Sequence, residues 1–253
     1  MCLLLFAWRV HEEYPLVLAA NRDEFYERPS ASADFWEDAP DILAGRDLKE
    51  GGTWLGITRS GRIAALTNYR DPASLKADAP SRGKLVSGYL RGEKAAERYL
   101  AELAPDAGRY NGFNLLVGDG FGLQYFSNRG APKLLEPGIY GISNSLLDVP
   151  WPKVLLGKRK LAALLAGKGK LTTEGFFRLL SDRSRPPDDQ LPETGVGREW
   201  ERILSPLFIQ SPAYGTRSAT VILVDKKGKT TFAERVFDEN GAPLMTTRTV
   251  ISL

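Results

Sequence analysis

The stretch MCLLLFAWRVHEEYPLVLAANRDEF (residues 1–25) decides how the rest of the chain is read. Two apolar runs, "CLLLFAWRV" and "YPLVLAAN", flank the polar turn "HEEY" and so describe a β-hairpin. The first of these strands is almost continuously apolar, which suits a strand covered on both faces. Its Cys2 is the single cysteine among 253 residues. Three readings of that thiol stand open. It is a small buried hydrophobe, since free cysteine is among the most buried residue types; it is an accident of a terminus; or it does chemistry.

Further hairpins follow the same pattern. "GTWLGIT" and "RIAALTN" surround "RSG", "GFNLLVGD" and "LQYFSN" surround "GFG", and "RSATVILVD" and "TTFAERVF" surround "KKGK". "PLMTTRTVIS" adds an edge strand. Helical periodicity covers Ser81–Leu103 with a break near Gly92, Pro150–Ala166, Thr172–Leu180 and Val196–Leu207. Hairpins at both ends with helices between them predict an α+β fold of antiparallel sheets rather than a doubly wound parallel one. Two stretches, "RPSASADFWEDAPD" (28–41) and "DRSRPPDDQLPETGVG" (182–197), read as long loops without regular structure. No repeat and no composition break divides the chain, so a single domain over residues 1–253 is expected.

Composition narrows the function classes. The chain is 43% hydrophobic and 26% charged, with 34 basic against 31 acidic residues and a net charge of +3. That balance does not point to nucleic acid. A lone cysteine allows no internal disulfide and fits a reducing cytoplasm. The first apolar run lacks a basic leader and is interrupted by Arg9, Glu12 and Glu13, unlike a signal peptide. No run approaches the roughly 20 apolar residues of a membrane span. A cytoplasmic protein with a small-molecule ligand or substrate is therefore expected, with no required cofactor and with its oligomeric state open. His11 is the only histidine, so common zinc sets and His-based triads cannot be assembled unless His11 serves. There is no P-loop or G-x-G-x-x-G, and "GKRK" (157–160) reads as a solvated helix face.

A thiol without a histidine needs another base. Removal of Met1 would place an α-amine on Cys2 itself, and such an amine is a recognised activator of a nucleophile. Reference pKa values of about 8.5 and about 7.7–8.0 make proton exchange between the two groups nearly balanced. Polar residues at strand ends could complete the site. Arg22 would lower the thiol pKa, Asp23 or Glu24 would orient the amine, and Asn68 and Asn144 would donate to a developing oxyanion. Trp36 and Trp54 are candidates to wall a pocket, or else plug the core.

These stretches resemble the NRDE family, also called the Transport and Golgi organisation 2 family. Its naming motif stands as Asn21-Arg22-Asp23-Glu24. Further matches are "GGTWLGITRSGRIAALTNYRDP", "FNLLVGD", "GISNSLLDVPWPKV" and "LPETGVGREWERILSPLFIQSPAYGTRSATVILVD". The family looks related to N-terminal-nucleophile hydrolases of the bile-salt hydrolase and penicillin V acylase branch. The resemblance implies a four-layer αββα sandwich of two antiparallel sheets. It implies Cys2 as nucleophile, Asn68 and Asn144 as oxyanion donors and Arg217, in "GTRSAT", as a late site arginine. The branch has Arg-x-x-Asp where this chain has Arg22 next to Asp23, so either Asp23 or Glu24 would take the acidic role. Family members are also connected with haem trafficking, which implies a second reading: a non-enzymatic carrier of haem or a lipid-like ligand. His11, Cys2, Met1, Met245 and nine tyrosines are the available axial donors.

Overall fold

The structure is a computed structural model and describes residues 2–167 and 169–252. In chain order the strands and helices are β1 (Cys2–Trp8), β2 (Leu16–Phe25), β3 (Ser30–Trp36), β4 (Ala39–Asp47), β5 (Leu55–Thr58) and β6 (Ile63–Asn68), then α1 (Gly83–Arg91) and α2 (Ala96–Leu103). Strands β7 (Phe113–Gly118), β8 (Leu123–Ser127), β9 (Gly130–Leu134) and β10 (Gly138–Ile142) follow. Helices α3 (Pro152–Leu165), α4 (Thr173–Leu180) and α5 (Arg198–Leu204) come next. Strands β11 (Tyr214–Val224), β12 (Lys229–Phe237) and β13 (Pro243–Ser252) close the series. The chain divides into two compact units. One holds the residues up to Glu27, Pro137–Ser143 and Leu147–Ser252, and the other holds Arg28–Glu136 and Asn144–Leu146.

The first unit is a six-stranded antiparallel sheet in the order β10-β1-β2-β11-β12-β13. Strand β1 lies inside it, paired from Cys2↔Arg22 to Trp8↔Leu16 on one side and with β10 on the other. All seven of its residues are buried, as an uninterrupted apolar run requires. Alternation assigns the faces. Leu3, Leu5 and Ala7 of β1, Val17 and Ala19 of β2, and Ala219, Val221 and Leu223 of β11 share one core with Val154, Leu161, Phe176 and Phe177 of the helices. Helix α3 opens with Pro152 in its first turn, where a missing N–H costs nothing. Its Lys153, Gly157 and Leu161 are buried at four-residue spacing, one stripe of a helix face. Gly157 lets α3 lie close on β1: a Cβ there would come within 2.6 Å of Leu5 Cδ1. Thr172 caps α4 by accepting from the Gly175 N–H at 3.3 Å.

The second unit is a seven-stranded antiparallel meander, β3 through β9 in sequence order. One face carries α1 and α2, whose Leu85, Tyr89, Leu90 and Leu100 pack with Leu66, Phe113, Leu115 and Val117. The early stretch read as a loop is instead the hairpin β3–β4. Register irregularities between Ala31 and Asp34 and between Phe35 and Trp36 break its period-two pattern. β3 is also an edge strand with polar exposed positions, so its alternation cannot be read from residue types. The glycine-bearing segment of β9 likewise becomes a strand only through its partner β8, whereas β10 is the strand expected to end before Asn144. The late loop (182–197) holds only a short 3-10 turn, Asp188–Gln190. Among the described residues no helix is long and apolar enough to cross a membrane.

Alanine at an exposed helical glycine is worth roughly 1 kcal/mol of stability. At Gly157 the sign reverses, because Leu5 is fully buried and has nowhere to move. Gly157→Ala should lower stability by about 1–3 kcal/mol, read as a lower urea midpoint with an unchanged slope.

Candidate functional site

Register places the thiol. Cys2, the first residue of β1, pairs directly with Arg22, so the two side chains leave the sheet on the same face. Cys2 is 6% exposed. Burial pushes its thiol up to about 11, and the nearby Asp23 charge adds to the rise. Arg22 and a hydrogen bond with the Asp23 backbone act in the opposite direction.

The motif Asn21-Arg22-Asp23-Glu24 lies on the last part of β2, and strand geometry splits it. Asn21 and Asp23 follow Val17 and Ala19 towards the helices, whereas Arg22 and Glu24 share the face of Cys2. Asn21 is fully buried, and its Nδ2 donates to the carbonyls of Leu180 at 3.0 Å and Leu207 at 2.8 Å. It therefore ties β2 to the end of α4 and to the segment that leads into β11. Asp23 is 1% exposed and accepts a hydrogen bond from Thr216 Oγ1 at 2.7 Å. Burial raises its carboxyl above the ordinary carboxylate range, with Lys153 the largest opposing influence. Lys153, 4% exposed, donates from Nζ to the Leu204 carbonyl at 2.8 Å.

A bulge makes this arrangement fit. Asp23 pairs with Thr216 and Arg22 with Ser218, so Arg217 is an extra residue in β11. Without it Thr216 would fall on the Arg22 face; the extra residue moves it to the Asp23 face. Arg217 Nη1 donates to the carbonyls of Phe25 at 2.9 Å and Tyr26 at 3.0 Å. Burial, and then the charge of Arg22, hold Arg217 below its usual value, while Glu24 acts in the other sense. Glu24 is half-buried and accepts from the Phe25 N–H at 3.0 Å. The first unit thus gathers Cys2, Arg22, Asp23, Glu24 and Arg217 at one end of β1, β2 and β11, with the acid closest to the helices being Asp23.

The second unit brings together Asn68, at the end of β6, and Asn144. Asn144 Nδ2 donates to the Asn68 carbonyl at 2.9 Å, and its own carbonyl accepts from the Arg70 N–H at 2.8 Å. The next residue, Ser145, is held by Asn114, whose Nδ2 reaches the Ser145 carbonyl at 2.8 Å and Thr67 Oγ1 at 3.0 Å. The Trp36 ring belongs to the core under α1, its Nε1–H donating to the Ala44 carbonyl at 3.0 Å and Arg46 stacked 4.2 Å from the ring centre. Trp54 is half-buried, and its carbonyl accepts from Leu66.

Lys153 and Thr216 complete the surroundings of Asp23, and neither stood out in the sequence. The available signal was a lysine in register with Gly157 and Leu161 on the buried stripe of α3. Two of the haem-donor candidates, His11 and Met245, belong to separate segments of the first unit. His11 accepts from the Glu13 N–H on an exposed turn, Met245 is exposed on β13, and Met1 lies outside the described residues. Among the described residues no group of three or more His, Cys, Asp or Glu is placed to hold a metal ion. The late loop borders an open pocket of about 330 Å3 lined in part by Thr194, Gly195 and Glu201.

A family model described as Transport and Golgi organisation 2 matches residues 1–239. The Transport and Golgi organization protein 2 homolog of Bos taurus is 41% identical over 256 residues, covering 93% of this chain and 92% of its own. Among solved structures, the Caenorhabditis elegans ortholog of N-acylethanolamine-hydrolyzing acid amidase superposes with a TM-score of 0.53 at 10% identity, over 88% of this chain and 92% of that one. The C2A mutant of conjugated bile acid hydrolase from Clostridium perfringens gives 0.53 at 9% identity, over 100% of this chain and 92% of that one. Those likenesses establish an N-terminal-nucleophile-hydrolase fold.

Two outcomes follow from the geometry. Asn21→Ala leaves two buried carbonyls without their donor and should cost about 2–4 kcal/mol, measured by chemical denaturation. In protein retaining Met1, alkylation of Cys2 by iodoacetamide at pH 8 should be at least roughly two orders of magnitude slower than that of free cysteine. Its rate should climb by about tenfold per pH unit towards the thiol value of about 11. The folded thiol value lies above the unfolded one, so its contribution to stability is intact below the unfolded value and is lost as pH rises towards about 11.

Proposed function

Because the chain belongs to the Transport and Golgi organisation 2 family, we propose that it is a cysteine N-terminal-nucleophile hydrolase-like protein, an amidohydrolase or acyltransferase on a small amide or acyl substrate. The observation that carries this reading is the pairing of Cys2 with Arg22 at the polar end of an otherwise apolar strand, with the Asp23 backbone hydrogen-bonded to the thiol. Removal of Met1 converts a peptide nitrogen into an amine beside Sγ. The amine takes the thiol proton as Sγ attacks the acyl carbon, a thioester forms, and the leaving amine departs with a proton. Water or a second amine then releases the acyl group and restores the thiol. The resemblance assigns the oxyanion to Asn68 and Asn144, and the likeness in fold to amide-hydrolysing enzymes supports that assignment.

A second reading, a carrier of haem or a lipid-like ligand, is favoured by one observation: the thiol with Met1 attached is buried and pushed up to about 11, a poor nucleophile at neutral pH. Intact mass spectrometry of native protein treated with p-nitrophenyl acetate separates the two. Under the hydrolase reading, Met1-free protein gains one acetyl group on Cys2 in a burst, and Cys2→Ala and Met1-retaining protein gain none. Equal ester or amide turnover by Cys2→Ala and the parent protein would overturn it. A haem-dependent Soret shift abolished by Cys2→Ala, with no acyl transfer by any form, would establish the carrier instead.

A further inference from the structure

Arg22 carries a buried charge near the end of β2. It is 9% exposed, and its buried Nη1 has no hydrogen-bond partner among the described residues. A guanidinium cannot escape by losing its proton, and an unmet buried donor on a charged group is costly. Neighbouring groups make matters worse. Asp23 points to the opposite face and bonds Thr216. The bulge brings a second guanidinium, Arg217, to the same end of the sheet, where the charge of Arg22 perturbs it. Glu24 is the one carboxylate of the motif on that face, and it is half-buried and engaged with the Phe25 N–H. Two like charges at one end of a sheet, one of them buried with an unmet donor, do not serve folding. They match the planar oxygens of a carboxylate or phosphate, which arginine forks bind in bidentate fashion.

We propose that Arg22 and Arg217 recognise an oxyanion on the ligand, a carboxylate or phosphate carried a few bonds from the group presented to Cys2. The proposal rests on the reading of the Cys2 face as the ligand face, and it narrows the substrate to acidic amides or acyl compounds. Directly paired strand residues have Cβ atoms about 5 Å apart, so an anion on Arg22 lies within a few bonds of an acyl carbon at Sγ. The bonds from Arg217 Nη1 to two adjacent main-chain carbonyls fix the orientation of the second fork.

The test is calorimetric titration of the full chain carrying Cys2→Ala, which binds without turnover, with N-acetylglycine and its neutral counterpart N-acetylglycinamide. The acid should bind saturably and at least tenfold more tightly than the amide. Arg22→Met should erase that preference, Arg22→Lys should weaken it, and Arg217→Met should reduce it. Competition by inorganic phosphate would mark a general oxyanion site, and its failure to compete a carboxylate site. Arg22→Met should also melt no lower than the parent, since it removes an unpaired buried charge; a clear fall in Tm overturns the premise that the fork is unsatisfied. Equal affinity for acid and amide, no saturable binding of the acid, or an unchanged preference in Arg22→Met overturns the proposal. Loss of Cys2 acylation with the acid preference intact would overturn the hydrolase reading and leave the anion site standing.

Discussion

Successive side chains of a strand leave its two faces in turn, and on β2 that constraint sets two neighbouring residues to opposite tasks. Asn21 and Asp23 are driven under the helices, where Asn21 binds two carbonyls and Asp23 meets Thr216. Arg22 and Glu24 are driven to the side of Cys2. The bulge at Arg217 keeps the adjacent strand in step with both groups, because one extra residue moves Thr216 from one face to the other. Removing the parity shift would leave a buried carboxyl without its hydroxyl donor.

The energetics of the two faces differ. Under the helices, Asn21 and Lys153 satisfy main-chain carbonyls at the ends of α4 and α5 and before β11, so these polar side chains hold helices to the sheet. Asp23 is different: burial raises its carboxyl. A raised acid contributes stability that is full below its unfolded value and is lost as pH rises through the folded one. Burial therefore works against the charged form of this carboxyl. On the other face, the thiol and two guanidiniums sit at the end of strands that are otherwise apolar and buried.

Much of the architecture was legible from residue order. The hairpins beginning at Cys2, Leu55, Phe113 and Tyr214 and the helices α1 to α5 announce themselves by period. The hairpin β3–β4 did not, because its bulges break alternation and its edge position tolerates polar residues on both sides. Strand β9 was hidden for a related reason, since its glycine disfavours a strand intrinsically. In β10, the strand expected to end before Asn144, Gly141 leaves room for Val154, whose Cγ1 would stand 2.7 Å from an added Cβ. Trp36 carried no mark in the sequence that distinguished a pocket wall from a core residue, and its packing under α1 rests on long-range contacts.

By itself the sequence determined the α+β class, the antiparallel hairpins, the family and the residues Cys2, Arg22, Asp23, Glu24, Asn68, Asn144 and Arg217 as the candidates for chemistry. The class and the hairpins follow from local periodicity, a property of neighbouring residues, whereas the family and Arg217 come from the resemblance of the motifs in their order. Only the tertiary structure decided which face each motif residue takes, that Lys153 and Thr216 stand at Asp23, that Asn68 meets Asn144, and that Arg22 has a buried donor unmet among the described residues. Those facts depend on strand register and on a single inserted residue far along the chain. A one-residue shift reverses every side chain of a strand, and no local pattern records it.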